Sequence, residues 1–337
     1  RGSLPRAYVG EQPTWTLLGL DGGREQALIS EDGAVEMARG SFSVEPFVKL
    51  DGKVLSWADV ASSQSLQDNY LPIASVDWTH AKAALSVTGF VQGGAEASQL
   101  VSRYTLKNPD KVAHAYTLAL AVRPWQVNPP TQFLNTVGGF SRIDRLDVGA
   151  DRVLVNGEPR VFPLQAPDKR FATPFDAKLD VTHLAGDAVP ATTSVSDPTG
   201  MASGALLYTI KLEPGQSREV ALVFPQTGSF NPRGFDPAKA QAQVAAMWRQ
   251  KLDGLQLQVP AAGQPLADTL RTALAHMLIS RVGPRLQPGT RSYGRSWIRD
   301  GAMISEGLLR MGRSDAVRDY VQWYAPHQFD NGKVPCC

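Results

Sequence analysis

A length of 337 residues allows two domains or one large one, and 43% hydrophobic against 20% charged residues is the balance of a globular chain with a sizeable core. The 34 basic and 32 acidic residues nearly cancel, which excludes a nucleic-acid-binding stripe and an acidic polymer partner. No run of about 18 apolar residues is present, so no membrane-spanning helix and no membrane partner are expected.

From about Trp15 to Gln226 the pattern is β. Ala115–Val122 alternates strictly: Tyr116, Leu118, Leu120 and Val122 share one face, and the small Ala115, Thr117, Ala119 and Ala121 suit a second packed layer on the other. Hairpin signals recur at Asp51-Gly52, at Asn156-Gly157 after Val153-Leu154-Val155, and at Glu213-Pro214-Gly215-Gln216 between Leu206–Leu212 and Val220–Phe224. Loops are expected over 124–135 and 163–174. Many short strands joined by turns predict a large antiparallel β-sandwich over residues 1–235.

The character changes at Asp236-Pro237, an N-cap followed by proline at the first helical position. Val244, Met247, Trp248 and Leu252 then recur at helical spacing. A strand-like run, 255–259, leads into Pro260-Ala261-Ala262-Gly263, and residues 236–263 read as a helical linker. Three helices are expected in 264–337. One carries the stripe Leu266, Leu270, Ala273, Leu274, Met277 and Leu278; the second carries Ile304, Leu308 and Met311. The third starts at Ser314-Asp315, with Val317, Tyr320, Val321 and Tyr324 on one side.

Common catalytic signatures are missing: no phosphate-binding G-x-x-x-x-G-K-[ST], no H-E-x-x-H, no G-x-S-x-G. His80, His114, His183, His276 and His327 lack metal-ligand spacing and read as structural. Asp21-Gly22-Gly23 reads as a turn. Cys336 and Cys337 are adjacent and form no disulfide framework, reading as two free thiols. No metal and no cofactor are expected. Arg1–Pro5 has no apolar leader core, a pattern compatible with a periplasmic or secreted chain after processing and with a cytoplasmic one.

The segment Tyr293-Gly294-Arg295-Ser296-Trp297-Ile298-Arg299-Asp300 stands out. Polar loop residues from Gln287 to Ser296 deliver two aromatics, an arginine and an aspartate to a helix start. Read locally, Trp297 is a core aromatic and Arg299 with Asp300 is an ion pair or helix cap. Read chemically, an aromatic face supports a sugar ring while a charged donor and a charged acceptor grip its hydroxyls.

The pattern Tyr-x3-Trp-x-Arg-Asp, after a β domain and one helix, resembles the first sugar-binding motif of the six-hairpin, (α/α)6-barrel glycosidases, the glucoamylase-like group. Arg123-Pro124-Trp125 after a strand also resembles the sandwich of that group. Bacterial members carry coagulation factor 5/8-type modules; none is read here. The resemblance implies an N-terminal super-β-sandwich over 1–235, a helical linker over 236–263, and the first helices of an (α/α)6 barrel over 264–337. It implies that Tyr293 and Trp297 wall a sugar subsite and that Arg299 and Asp300 hydrogen-bond the sugar.

It further implies a glycoside hydrolase acting through two carboxyl groups. Glu306, Asp315, Asp319 and Asp330 follow the motif, and none matches a catalytic position. A barrel of twelve helices needs roughly 200 residues, and 264–337 supply about a third of that. The expectation is therefore an N-terminal portion, inactive alone, with a second chain or segment completing the barrel over an oligosaccharide or glycoside substrate. Two other readings stay open: a related oligosaccharide phosphorylase, and a non-catalytic β-sandwich that binds carbohydrate or serves assembly.

Overall fold

The computed structural model describes residues 2–128, 139–175, 177, 181, 189–254 and 256–337. Its strands are β1 (Trp15–Gly19), β2 (Gln26–Ser30), β3 (Val35–Glu36), β4 (Ser43–Leu50), β5 (Lys53–Leu55), β6 (Ala61–Gln67), β7 (Leu71–His80), β8 (Ala83–Gly94), β9 (Ala97–Lys107), β10 (His114–Arg123), β11 (Arg145–Val148), β12 (Val153–Val155), β13 (Glu158–Pro163), β14 (Lys169–Thr173), β15 (Ser194–Ser196), β16 (Ser203–Leu212) and β17 (Ser217–Pro225). Four helices follow: α1 (Pro237–Leu252), α2 (Gln264–Ser280), α3 (Ile298–Arg310) and α4 (Ser314–Tyr324).

The strands make two antiparallel sheets. One has eight strands in the order β1-β2-β3-β4-β10-β16-β14, with β5 hairpinned onto β4; the other has nine, β15-β11-β12-β13-β17-β9-β8-β7-β6. Their facing sides form the main core. Tyr116, Leu118, Leu120 and Val122 of β10 enter it together with Tyr104, Leu146, Leu206 and Leu222. The opposite face of β10 is also covered: Ala119 and Ala121 pack with Phe47, Phe171, Ala205 and Leu207, the second layer that their small size allows.

Asp51-Gly52 and Asn156-Gly157 turn hairpins with positive φ at both central residues, as type I′ geometry requires. Glu213–Gln216 does not turn a hairpin. It joins β16 of one sheet to β17 of the other, so the turn crosses the sandwich. The stretch 163–174 is not all loop, since β14 pairs with β16 there. Residues 256–259 form no strand; Leu255, residues 129–135 of the expected loop, and His183 lie outside the described residues.

Asp236 caps α1, its carboxylate accepting from the amides of Ala238 and Lys239. The helix read as a linker packs closely: Val244, Trp248 and Leu252 are buried with Leu274 and Leu278 of α2 against Leu71, Ile73, Phe90 and Val101 from the nine-stranded sheet. Burying an aromatic of this size stabilises by about 3–5 kcal/mol relative to alanine. The covered face of α2 is not the whole stripe read from the sequence. Ala267, Ala275 and Ile279 join Leu274 and Leu278 inside, while Leu266 is 72% exposed and Leu270 and Ala273 face outward. On α3, Leu308 is buried but Met303 and Leu309 are exposed. On α4, Tyr320 and Tyr324 are buried but Val321 is exposed. A β-sandwich is thus followed by the first helices of a helical barrel.

Candidate functional site

The loop between α2 and α3 carries the motif, and buried polar contacts hold it on the sandwich. Arg291 adopts a left-handed backbone (φ 58°) and is fully buried. Its Nε donates to Glu36 Oε1 at 2.9 Å, and its Nη1 donates to the Gln26 carbonyl at 3.1 Å and to Thr290 Oγ1 at 3.0 Å. Glu36 Oε2 accepts from the amides of Val127 and Asn128 at 2.7 and 3.2 Å. Burial pushes the Glu36 carboxyl up to about 7 against the pull of Arg291 and these amides, and burial likewise lowers Arg291. Further along, the Ser296 hydroxyl donates to the Leu286 carbonyl at 2.7 Å, closing the loop on itself before Trp297.

A second buried anchor sits in the β1–β2 turn. Asp21 receives Lys251 from the end of α1 at 2.7 Å, Arg281 from just after α2 at 2.7 Å, and Arg313 from the α3–α4 connection at 3.4 Å. Burial alone would raise Asp21, but Lys251 and Arg281 outweigh it and hold the carboxyl below its ordinary value. The residue read only as part of a glycine turn therefore fixes how the helices sit on the sandwich.

On this frame the structure places the four motif residues at the start of α3. Trp297 is the N-cap residue, half-buried, with the Arg295 guanidinium 5.7 Å from its ring centre. Arg299 and Asp300 come together: Nε and Nη2 of Arg299 lie 3.2 and 2.9 Å from Asp300 Oδ2. The Arg299 side chain is 78% exposed and that of Asp300 22% exposed. Both contacts use Oδ2, so Oδ1 of Asp300 keeps its accepting capacity. Asp300 also lies in the first helical turn, where the helix dipole favours its charge. Tyr293 lies upstream in the short turn Arg291–Tyr293 and is 59% exposed.

The chain's last residues return to this helix start. The Cys336 carbonyl accepts the Ile298 amide at 2.9 Å, and the Pro335 carbonyl accepts the Tyr324 hydroxyl at 2.7 Å. Gly301 allows α4 to approach, since a Cβ there would lie 2.0 Å from the Tyr320 hydroxyl oxygen.

Two of the acidic residues after the motif are held in arginine pairs. Glu306 is exposed and pairs with Arg310 at 2.8 Å. Asp315 pairs with Arg313, which lowers its carboxyl to about 2. The cap expected at Ser314-Asp315 is instead Arg313, without a side-chain capping bond. Asp319 and Asp330 are exposed. Among the described residues no group of His, Cys, Asp and Glu is placed to hold a metal ion, and no helix is long and apolar enough to cross a membrane.

Sequence reasoning missed Arg291, Glu36 and Asp21. One signal was available for Glu36: a lone charge between the apolar Val35 and Met37 needs a buried partner.

No family model and no curated protein matches the chain. Among solved structures it is similar to a bacterial glucoamylase complexed with acarbose, at 13% identity and a TM-score of 0.67, covering 95% of this chain and 51% of that one. A candidate kojibiose phosphorylase from the human microbiome (8% identity, TM-score 0.39, 94% and 42% of the two chains) shows weaker similarity. So does a family GH92 alpha-mannosidase from Bacteroides thetaiotaomicron (10% identity, TM-score 0.40, 80% and 38%). At the level of fold the chain is glucoamylase-like, and it spans about half the length of the glucoamylase it matches.

Proposed function

We propose that the chain is the sandwich and barrel-start portion of a carbohydrate-active enzyme, a glycoside hydrolase that cleaves glycosidic bonds by paired-carboxylate acid/base catalysis. The observation that carries this reading is the Arg299–Asp300 pair beside Trp297 at the start of α3, on the fold of a glucoamylase that binds acarbose. Asp300 Oδ1 accepts from sugar hydroxyls, the exposed guanidinium of Arg299 donates to them, and Trp297 and Tyr293 supply apolar walls. These residues bind and orient the sugar and transfer no proton.

In this reading the acid and base, about 6.5–9.5 Å apart for inversion, belong to further helices of the barrel. The exposed apolar residues Leu266 and Leu270 of α2, Met303 and Leu309 of α3 and Val321 of α4 are the surface that further barrel helices, on this or a second chain, would cover. The test is a titration of the chain with acarbose, following the fluorescence of its tryptophans and repeated on Trp297→Phe. A saturable change in the wild type that is diminished in the variant supports the site; no saturable binding by calorimetry contradicts it.

A further inference from the structure

The carbonyl that accepts the Ile298 amide belongs to the peptide bond between Cys336 and Cys337. The two thiols flanking that peptide are in contact, Sγ to Sγ at 2.8 Å, and both cysteines are exposed. The preceding carbonyl, of Pro335, is held by Tyr324, so the approach of the segment to α3 is fixed on its upstream side. One peptide unit therefore serves both as acceptor for the first amide of α3 and as the backbone of a vicinal dithiol.

We propose that Cys336 and Cys337 form a reversible redox site, and that closing the disulfide between them withdraws the Cys336 carbonyl from the Ile298 amide. The argument is geometric. Neighbouring Cα atoms are about 3.8 Å apart across a trans peptide, whereas disulfides ordinarily span about 4.4–6.8 Å. A bond between adjacent cysteines closes a small ring that contains the peptide itself. That peptide must twist, and its carbonyl turns with it. Strained, exposed disulfides are the readily reduced ones, which suits a switch and not a permanent cross-link.

The oxidant is a low-molecular-weight disulfide such as oxidised glutathione. One cysteine thiolate attacks a sulfur of that disulfide, breaks its S–S bond and releases one thiol. The neighbouring thiolate attacks the mixed disulfide, forms the Cys336–Cys337 bond and releases the second thiol. The protons lost by the two cysteines end on the two released thiols. Oxidation leaves the Ile298 N–H as an orphan donor in the helical turn that holds Arg299 and Asp300. The consequence for sugar affinity rests on the proposed function.

The test uses the whole chain in glutathione buffers of graded oxidation. Oxidation should remove two free thiols and two hydrogen masses with no glutathione left attached to the protein, and dithiothreitol should restore both. In the oxidised form the Ile298 amide should exchange roughly five- to tenfold faster, as expected on losing one hydrogen bond. Cys337→Ser keeps the carbonyl and should show neither change. Stable glutathione adducts on both cysteines, or cross-linked dimers in place of the internal bond, overturn the redox site. An internal bond with unchanged Ile298 exchange overturns the link to α3. Acarbose titration of the same samples reads the sugar site separately: faster Ile298 exchange with no acarbose binding in either state supports the redox device and faults the sugar reading.

Discussion

Arg291 lies fully buried against Glu36, its Nη2 2.7 Å from Oε1, and this pair joins the loop before α3 to β3 of the eight-stranded sheet. It couples the loop that carries Tyr293–Asp300 to the sandwich across more than 250 residues of sequence. Removing one partner leaves a buried charge unpaired. Without Arg291 the Glu36 carboxyl rises further, so Arg291→Met should destabilise by about 3–5 kcal/mol at a pH high enough to ionise it. The double variant Glu36→Gln/Arg291→Met should cost less than Arg291→Met alone. Urea unfolding measures both, and equal or larger loss in the double variant would contradict the pairing.

Glu36 also gives stability a pH dependence. Its folded-state pKa is raised by burial from 4.5 to about 7, so the folded chain binds this proton more tightly than the unfolded one. The contribution is complete below the unfolded value and is lost as pH rises through about 7. Across that window the melting temperature of the wild type should fall relative to Glu36→Gln, which has no proton to lose there. A wild type that gains on the variant with rising pH would show that the carboxylate form is the favoured one.

Gly301 of α3 lies under the Tyr320 side chain of α4. In Gly301→Ala the new methyl would lie 2.0 Å from the Tyr320 hydroxyl and 2.3 Å from the ring carbon that bears it, so the Tyr320 side chain must shift. Overpacking of this kind costs about 1–3 kcal/mol. Pairing it with Tyr320→Ala, which removes the hydroxyl and the ring carbons that would lie 2.3 and 2.7 Å from that methyl, should recover part of the Gly301→Ala loss in thermal unfolding relative to Tyr320→Ala alone. No recovery would place the strain elsewhere.

The features legible in the sequence are those encoded locally. The alternation of Tyr116, Leu118, Leu120 and Val122, the Asn156-Gly157 turn and the Asp236-Pro237 cap each specify their own backbone, and each is found as read. Partner choice is not local. Glu213–Gln216 has hairpin composition yet joins two different sheets, because a tight turn fixes chain reversal and not which strand lies alongside. On α2, helical spacing shows apolar residues, but only packing decides that Ala275 and Ile279 go inside while Leu266 and Leu270 stay out. Ile279 is drawn in by Gly19, which leaves room for it over β1. The site follows the same rule: Arg299 and Asp300 were legible as neighbours, whereas the buried Arg291–Glu36 anchor needed the fold to bring its halves together.

The acidic side chains after the motif set the expectation for activity. Glu306 and Asp315 are each paired with an arginine at the surface and lack the desolvation a general acid needs. The 337-residue chain alone should therefore not hydrolyse maltose or aryl glycosides. Turnover that survived Glu306→Gln would show that an acid and a base lie within this sequence.

The measurement closest to the central claim is the acarbose affinity of Asp300→Ala against wild type, by calorimetry, with circular dichroism and unfolding confirming the fold of both. Loss of the charge-assisted bonds accepted by Asp300 should weaken binding by about 1–3 kcal/mol. Equal affinity in two equally folded proteins would contradict a sugar-binding role and leave Asp300 as the ion-pair partner of Arg299 alone.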